Sequence, residues 1–168
     1  MGVNGGLYKT VLVLHILSAT VGFGTVFLNG LYALDAKRRP PREGLAVAEA
    51  NFAVSGIASW VIFLVFILGA GLVGLSDGAW TMGSFWVSTS MVAFIGGIGI
   101  SHGLLLPNER RMLALERELL DLEGAKLDGP PEQAVELADR GRRAAALGTV
   151  LNILVVFILY LMVFKPGN

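Results

Sequence analysis

Charged residues fall along this chain in clusters. Between the clusters run four stretches without a single Asp, Glu, Lys or Arg: Thr10–Leu34, Ala50–Ser76, Gly78–Asn108 and Ala144–Phe164. They are 25, 27, 31 and 21 residues long, and a helix needs about 20 predominantly apolar residues to cross a bilayer. In hydrocarbon every backbone amide must find its partner within its own segment, so each stretch reads as a helix. The pattern predicts spans at about 7–34, 51–75, 79–106 and 144–164 in an all-α, antiparallel four-helix transmembrane bundle. Ser76-Asp77-Gly78 reads as a tight turn that makes the second and third spans antiparallel neighbours. Pro40-Pro41 is expected to end the first helix, with Gly44–Glu49 a short interfacial helix leading into the second span. Pro107 predicts a kink or a break at the end of the third.

The connection between spans three and four, residues 108–143, has a pattern of its own. Met112, Leu115, Leu119 and Leu122 follow 3-4-3 spacing. Arg110, Arg111, Glu116, Arg117, Glu118, Asp121 and Glu123 lie largely on the other faces. Gly129-Pro130-Pro131 is a strong turn. Ala134, Leu137 (or Ala138), Gly141 and Ala145 then repeat the seam and run into the fourth span. The expectation is a cytoplasmic helical hairpin continuing spans three and four, too short at two heptads to specify a partner. Residues 1–168 thus read as a single membrane domain. Thr10–Leu34 is too long for a secretory signal core, lacks a convincing Ala-x-Ala site and runs into Lys37-Arg38-Arg39, so it is expected to be retained as a span. Gly6 stands where a myristoylation motif needs Ser or Thr.

Composition sharpens the class. The chain is 54% hydrophobic with a mean hydropathy of +0.68, well above the soluble average. Its net charge is zero, which gives no field for nucleic acid. With no cysteine, disulfides, thiolate metal sites and cysteine nucleophiles are excluded together. Of 13 Lys and Arg, four lie in the first connection and seven in the third (Arg110, Arg111, Arg117, Lys126, Arg140, Arg142, Arg143). The positive-inside bias predicts those two connections in the cytoplasm and both termini outside, in the cell (inner) membrane. Trp80 and Trp86 then fall near the outer interface, level with Tyr8.

Polar groups inside the spans are the best clues to function, because hydrocarbon penalises them unless they face the bundle. His15, Ser18, Gly22, Thr25 and Asn29 share one face of the first span. Ser84, Ser88, Met91, Gly99 and His102 share one face of the third. Small residues let helix backbones approach closely, so both stripes are open to a plain packing reading. An intramembrane histidine is a candidate haem ligand, proton relay or quinone contact, but His15 is equally open to a hydrogen bond with a neighbouring helix. His15, Ser18, Gly22 and His102 are the candidate cofactor-binding residues. Counted from the starts of their spans at 1.5 Å per residue, His15 and His102 sit about 12 Å and 35 Å deep. That mismatch of roughly 20 Å argues against one haem held by both within a protomer. Asn29, Ser55, Ser59 and Asn152, with His102, are expected to form a polar cluster in the cytoplasmic third. No span carries a carboxylate, Lys or Arg, which disfavours ion-coupled transport. No phosphate-binding loop, HExxH or Gly-x-Ser-x-Gly motif occurs, and no metal site is expected.

Leu14-His15-Ile16-Leu17, its Gly-rich continuation, the basic run after span one and Leu106-Pro107-Asn108-Glu109-Arg110-Arg111-Met112 resemble a bacterial family of predicted integral membrane proteins, domain of unknown function 2269. That family is similar in plan to the copper-resistance protein D-like group, which includes the haem-dependent HemJ-type protoporphyrinogen oxidases. The resemblance implies that His15 occupies the position of a candidate haem ligand. The arginine- and tyrosine-rich sequence that follows this histidine in the oxidases is absent, and Asn29-Gly30-Leu31-Tyr32-Ala33-Leu34 stands there instead, so the oxidase activity is not carried over. Two functions remain: a non-catalytic helical-bundle component or assembly subunit in a homo-oligomer or membrane-protein complex, or a redox protein holding haem or a small cofactor through His15.

Overall fold

The computed structural model describes residues 2–122 and 129–167. Glu123 and Lys126 of the predicted hairpin lie outside the described residues. The chain is all-helical: α1 (Gly6–Arg38), α2 (Pro41–Leu75), α3 (Phe85–Ile100), α4 (Leu106–Asp121) and α5 (Glu132–Phe164), with a π turn, Ser101–Leu105, joining α3 to α4. Among the described residues four helical runs are long and apolar enough to cross a membrane: α1, α2, α3 through α4, and α5. Their outward faces carry large apolar side chains, among them Trp60, Ile57, Val92 and Val163, as a lipid solvent requires.

Three boundaries differ from the sequence reading. Helix α2 begins at Pro41, so Gly44–Glu49 belongs to it and no separate interfacial helix forms. Proline stops a helix it would have to continue, but at a first position its missing N–H has no partner to lose. Pro40, in extended backbone, makes the break instead. Helix α3 starts at Phe85 and not near Ala79. Asp77 and Gly78 have positive φ, and the Ser76 hydroxyl accepts the Trp80 N–H at 3.0 Å and donates to the Val73 carbonyl at 2.7 Å. These bonds hold 76–84 as a loop. Pro107 does not break its helix. The π turn widens the backbone ahead of it, with the Leu106 N–H reaching the Ser101 carbonyl, and α4 then continues.

The helix contacts follow two registers. Asn29 meets Ser55, Gly22 meets Ile62 and His15 meets Val65, stepping in opposite directions along α1 and α2. Gly97 faces Leu151 and Asn108 faces Arg140, doing the same along α3–α4 and α5. The α1–α2 connection is tight because Gly44 has no side chain. A Cβ there would lie 2.6 Å from the Ala36 carbonyl oxygen. Phe23, Val65, Phe94, Val155 and Ile158, one or two from each spanning run, form the buried core.

Candidate functional site

The α1 stripe is the seam between α1 and α2. Gly22 is taken up by packing, since a Cβ would come 2.8 Å from Ile62. Thr25 donates to its own helix at Val21 O, 3.0 Å, as Thr10, Thr20 and Thr149 do to carbonyls four residues back. Such back-bonded hydroxyls need nothing from outside their helix. Asn29 Oδ1 accepts from the Ser55 hydroxyl at 3.1 Å, and Ser59 donates to the Ser55 carbonyl at 2.9 Å. Asn152 is not bonded to them; its Oδ1 is buried without a partner among the described residues.

His15 differs from its neighbours in the stripe. It is 6% exposed, and its Nδ1 lies 3.0 Å from the Val65 carbonyl. A carbonyl only accepts, so Nδ1 carries the proton and Nε2 is left as a lone-pair acceptor. The ring fits because residue 69 is glycine: a Cβ there would stand 3.1 Å from His15 Cε1. His15 therefore makes the inter-helix bond expected of a structural histidine and still has one nitrogen uncommitted.

It lines a cavity of about 190 Å³ that rests on the core, with Val65, Phe94 and Ile158 common to both. Above them stand Trp80 and Trp86, their rings 5.4 Å apart and edge-to-face. The α5 helix ends with Lys165 in left-handed backbone, φ 47°, and the ammonium of Lys165 lies 4.1 Å from the Trp80 ring centroid. This is a cation–π closure at the rim, between the end of α5 and the 76–84 loop. Two more polar atoms in the lining, Trp86 Nε1 and Ser90 Oγ, are shut off from solvent and have no hydrogen-bond partner among the described residues. Ser90 is 4% exposed. Buried polar groups are normally paired, and each such exception calls for an explanation.

Of the four residues proposed from sequence to bind a cofactor, only His15 lines this cavity; Ser18, Gly22 and His102 do not. The ring of His102 packs 5.5 Å from that of Phe63, and its buried Nδ1 has no partner among the described residues. Both histidines thus touch α2 between Phe63 and Gly69, about 9 Å of helix at 1.5 Å per residue. The depth difference counted from the sequence was too large, because 79–84 is loop and adds no helical rise. The two side chains still serve different spaces. Ser90, Trp86, Gly69 and Lys165 were missed as site residues; the Trp86-x-x-x-Ser90-x-x-x-Phe94 spacing on one face of α3 was the available signal.

Haem is a poor fit. Pockets for drug-sized molecules run to about 300–1,000 Å³. A porphyrin is no smaller than such a molecule, and this cavity has about 190 Å³. The nitrogen is suitable for iron, but the space does not suit the macrocycle. Among the described residues no group of three His, Asp or Glu is placed to hold a metal ion.

The opposite end is organised by charge. Asn108, 7% exposed, donates to the Arg140 carbonyl at 3.0 Å, and its Oδ1 accepts from Arg140 Nη1 at 3.3 Å. Arg111 holds Glu136 in a two-pronged pair at 2.9 and 3.2 Å and reaches Glu118 at 2.8 Å. Arg140 also bonds Glu136, at 2.7 Å. The Leu106–Met112 motif is thus the clasp between α4 and α5. A wider groove of about 460 Å³ lies beside it, lined by Tyr32, Lys37, Phe52, Glu109, Glu116 and Leu120 among others. Tyr32 and Lys37 in its lining are exposed, whereas Glu109 and Glu116 are half-buried and Glu116 Oε2 has no partner among the described residues.

Four apolar runs around one small, mostly apolar chamber define a polytopic helical membrane protein, for which a lipid bilayer is the solvent. The chain belongs to the predicted integral membrane protein family DUF2269, whose model matches residues 9–166. Neither the curated proteins nor the solved structures contain a match.

Proposed function

We propose that the protein is a non-catalytic component of the cell membrane that binds a small, lipid-soluble molecule bearing a hydrogen-bonding group in the chamber under Trp80 and Trp86. The observation that carries this reading is the convergence of His15, Trp86 and Ser90 on one apolar-walled space. Ligand sites are mostly apolar cavities with a few placed polar groups. The basic connections support an orientation with the arginine end in the cytoplasm and the chamber toward the outer leaflet. The Asn29–Ser55 pair and Ser59 serve in this reading to lock α1 against α2.

The test is to purify the full chain from native membranes in mild detergent, then examine it by native mass spectrometry and absorption. A small non-haem molecule retained by the wild type and lost in His15→Leu is the expected result. A Soret band that disappears in His15→Ala would reverse the choice and restore haem. A clean apo mass from native membranes, with no binding on lipid supplementation, would leave only the structural role.

A further inference from the structure

This inference rests on the chamber reading and concerns what the chamber accepts. We infer that its ligand is a hydroxylated aromatic ring, a phenol or quinol head, whose hydroxyl donates to His15 Nε2 and whose second oxygen accepts from Trp86 Nε1 or Ser90 Oγ. Three observations lead there.

The first is the sense of the free hydrogen bonds. Nδ1 of His15 is committed to Val65 as a donor, so in the neutral ring Nε2 can only accept, and it asks for a ligand that donates. Trp86 Nε1 can only donate, and it asks for a ligand that accepts; Ser90 Oγ does either. Both atoms are shut off as the side chains stand, so a ligand engages one of them by turning its side chain toward the chamber. A molecule with one donor and one acceptor meets all three. A carboxylate could pair only with the Lys165 ammonium at the rim, which already lies over Trp80, and would face the His15 lone pair with a lone pair of its own; a hydrocarbon would leave all three unpaired.

The second observation is the wall. Tyr8, Phe66, Phe94, Trp80 and Trp86 present ring faces and edges, and Met91 and Met162 add thioether sulfurs. Offset aromatic pairs and sulfur–ring contacts favour a flat ring over an alkyl chain of equal area. The third is size, since about 190 Å³ takes one substituted ring and little more.

The test uses the full chain in lipid nanodiscs and isothermal titration calorimetry, with heats on empty discs subtracted. The probes are 4-methoxyphenol, which has a donor at one end and an acceptor at the other, and 1,4-dimethoxybenzene, which lacks the donor. Octanoate represents carboxylates, and 4-decyloxyphenol carries a membrane tail. We expect saturable binding of 4-methoxyphenol and a dissociation constant for 1,4-dimethoxybenzene higher by about tenfold, the usual consequence of a buried acceptor left unpaired. His15→Leu should weaken the phenol by about the same factor and leave the ether unchanged. Trp86→Phe, which keeps the ring and removes the N–H, should weaken both probes, and it guards against a His15 variant that fails to fold.

Equal binding of phenol and ether, or octanoate as the tightest probe, overturns the hydroxyl inference while the chamber reading stands. No saturable binding by any probe, with the wild type folded, overturns both. Tighter binding of 4-decyloxyphenol supports the inference with a membrane lipid as the source, and tighter binding of 4-methoxyphenol supports it with a free phenol.

Discussion

The two ends of the bundle treat polar groups in opposite ways. At the arginine end a run of side chains is paired, Asn108 with Arg140, Arg111 with Glu118 and Glu136, Arg117 with Glu49, although Glu116 Oε2 is buried there without a partner among the described residues. At the tryptophan end two residues that line the chamber, Trp86 and Ser90, each keep a buried polar atom without a partner among the described residues. The first arrangement fixes helices against one another. The second is ready for something else. Paired groups cost stability when removed; groups held for a ligand should cost binding and leave the fold almost unchanged.

The largest effect belongs to the arginine end. Leu115 is 0% exposed where α4 meets its neighbours. Leu115→Ala should lower unfolding stability by about 2–5 kcal/mol, read as a fall in thermal midpoint in detergent, with ligand retention at the other end unchanged. Gly44→Ala comes next. The added Cβ would sit 2.6 Å from a backbone carbonyl, which cannot move aside as a side chain would. Forcing the α1–α2 turn apart should cost about 1–3 kcal/mol. Asn108→Leu removes both bonds to Arg140 and should cost about 1–2 kcal/mol. A ligand loss in any of these that matched the stability loss would erase the distinction between the ends.

The fold was largely legible in the sequence and the site only partly so. Charge-free length is a property of the chain alone, so four membrane-length runs could be read directly. Side-chain pairing across helices is not. The α1 stripe was visible as periodicity, yet nothing local says that Gly22 packs on Ile62 while His15 opens on a cavity. That depends on which α2 residues stand opposite. Ser90 resembled any other serine in a span until its hydroxyl proved not to back-bond. The Leu106–Met112 motif was visible too, but its meaning needed Glu136 and Arg140, some 25–32 residues on. The helix ends were misplaced where a side chain decided them, as Ser76 does for the loop before α3.

At the tryptophan end Gly69 provides the sharpest cut. Gly69→Val would press on His15 Cε1, 3.1 Å away from a Cβ, and tilt the ring off the Val65 carbonyl. Retained ligand should fall by about tenfold, the loss expected from one misplaced buried hydrogen bond. The same variant should shift the thermal midpoint far less than Leu115→Ala does. If stability and binding fell together, His15 would be a structural histidine first.

The smallest effect returns to the arginine end and tests why its pairs exist. Arg117 bonds Glu49 at 2.7 and 3.0 Å, joining α4 to α2, but both side chains are open to water, at 60% and 41% exposure. An exposed pair gains little because solvent screens it and two long side chains lose freedom, so Arg117→Ala should cost less than about 1 kcal/mol. The shift should shrink further in high salt. The two-pronged Arg111–Glu136 pair, tied into Arg140 and through it to buried Asn108, should resist salt better. Measuring Arg117→Ala and Arg111→Ala at low and high ionic strength separates a clasp built around a buried amide from charges that merely face each other. Equal salt sensitivity in the two would mean that Asn108, and not the arginines, holds α4 to α5.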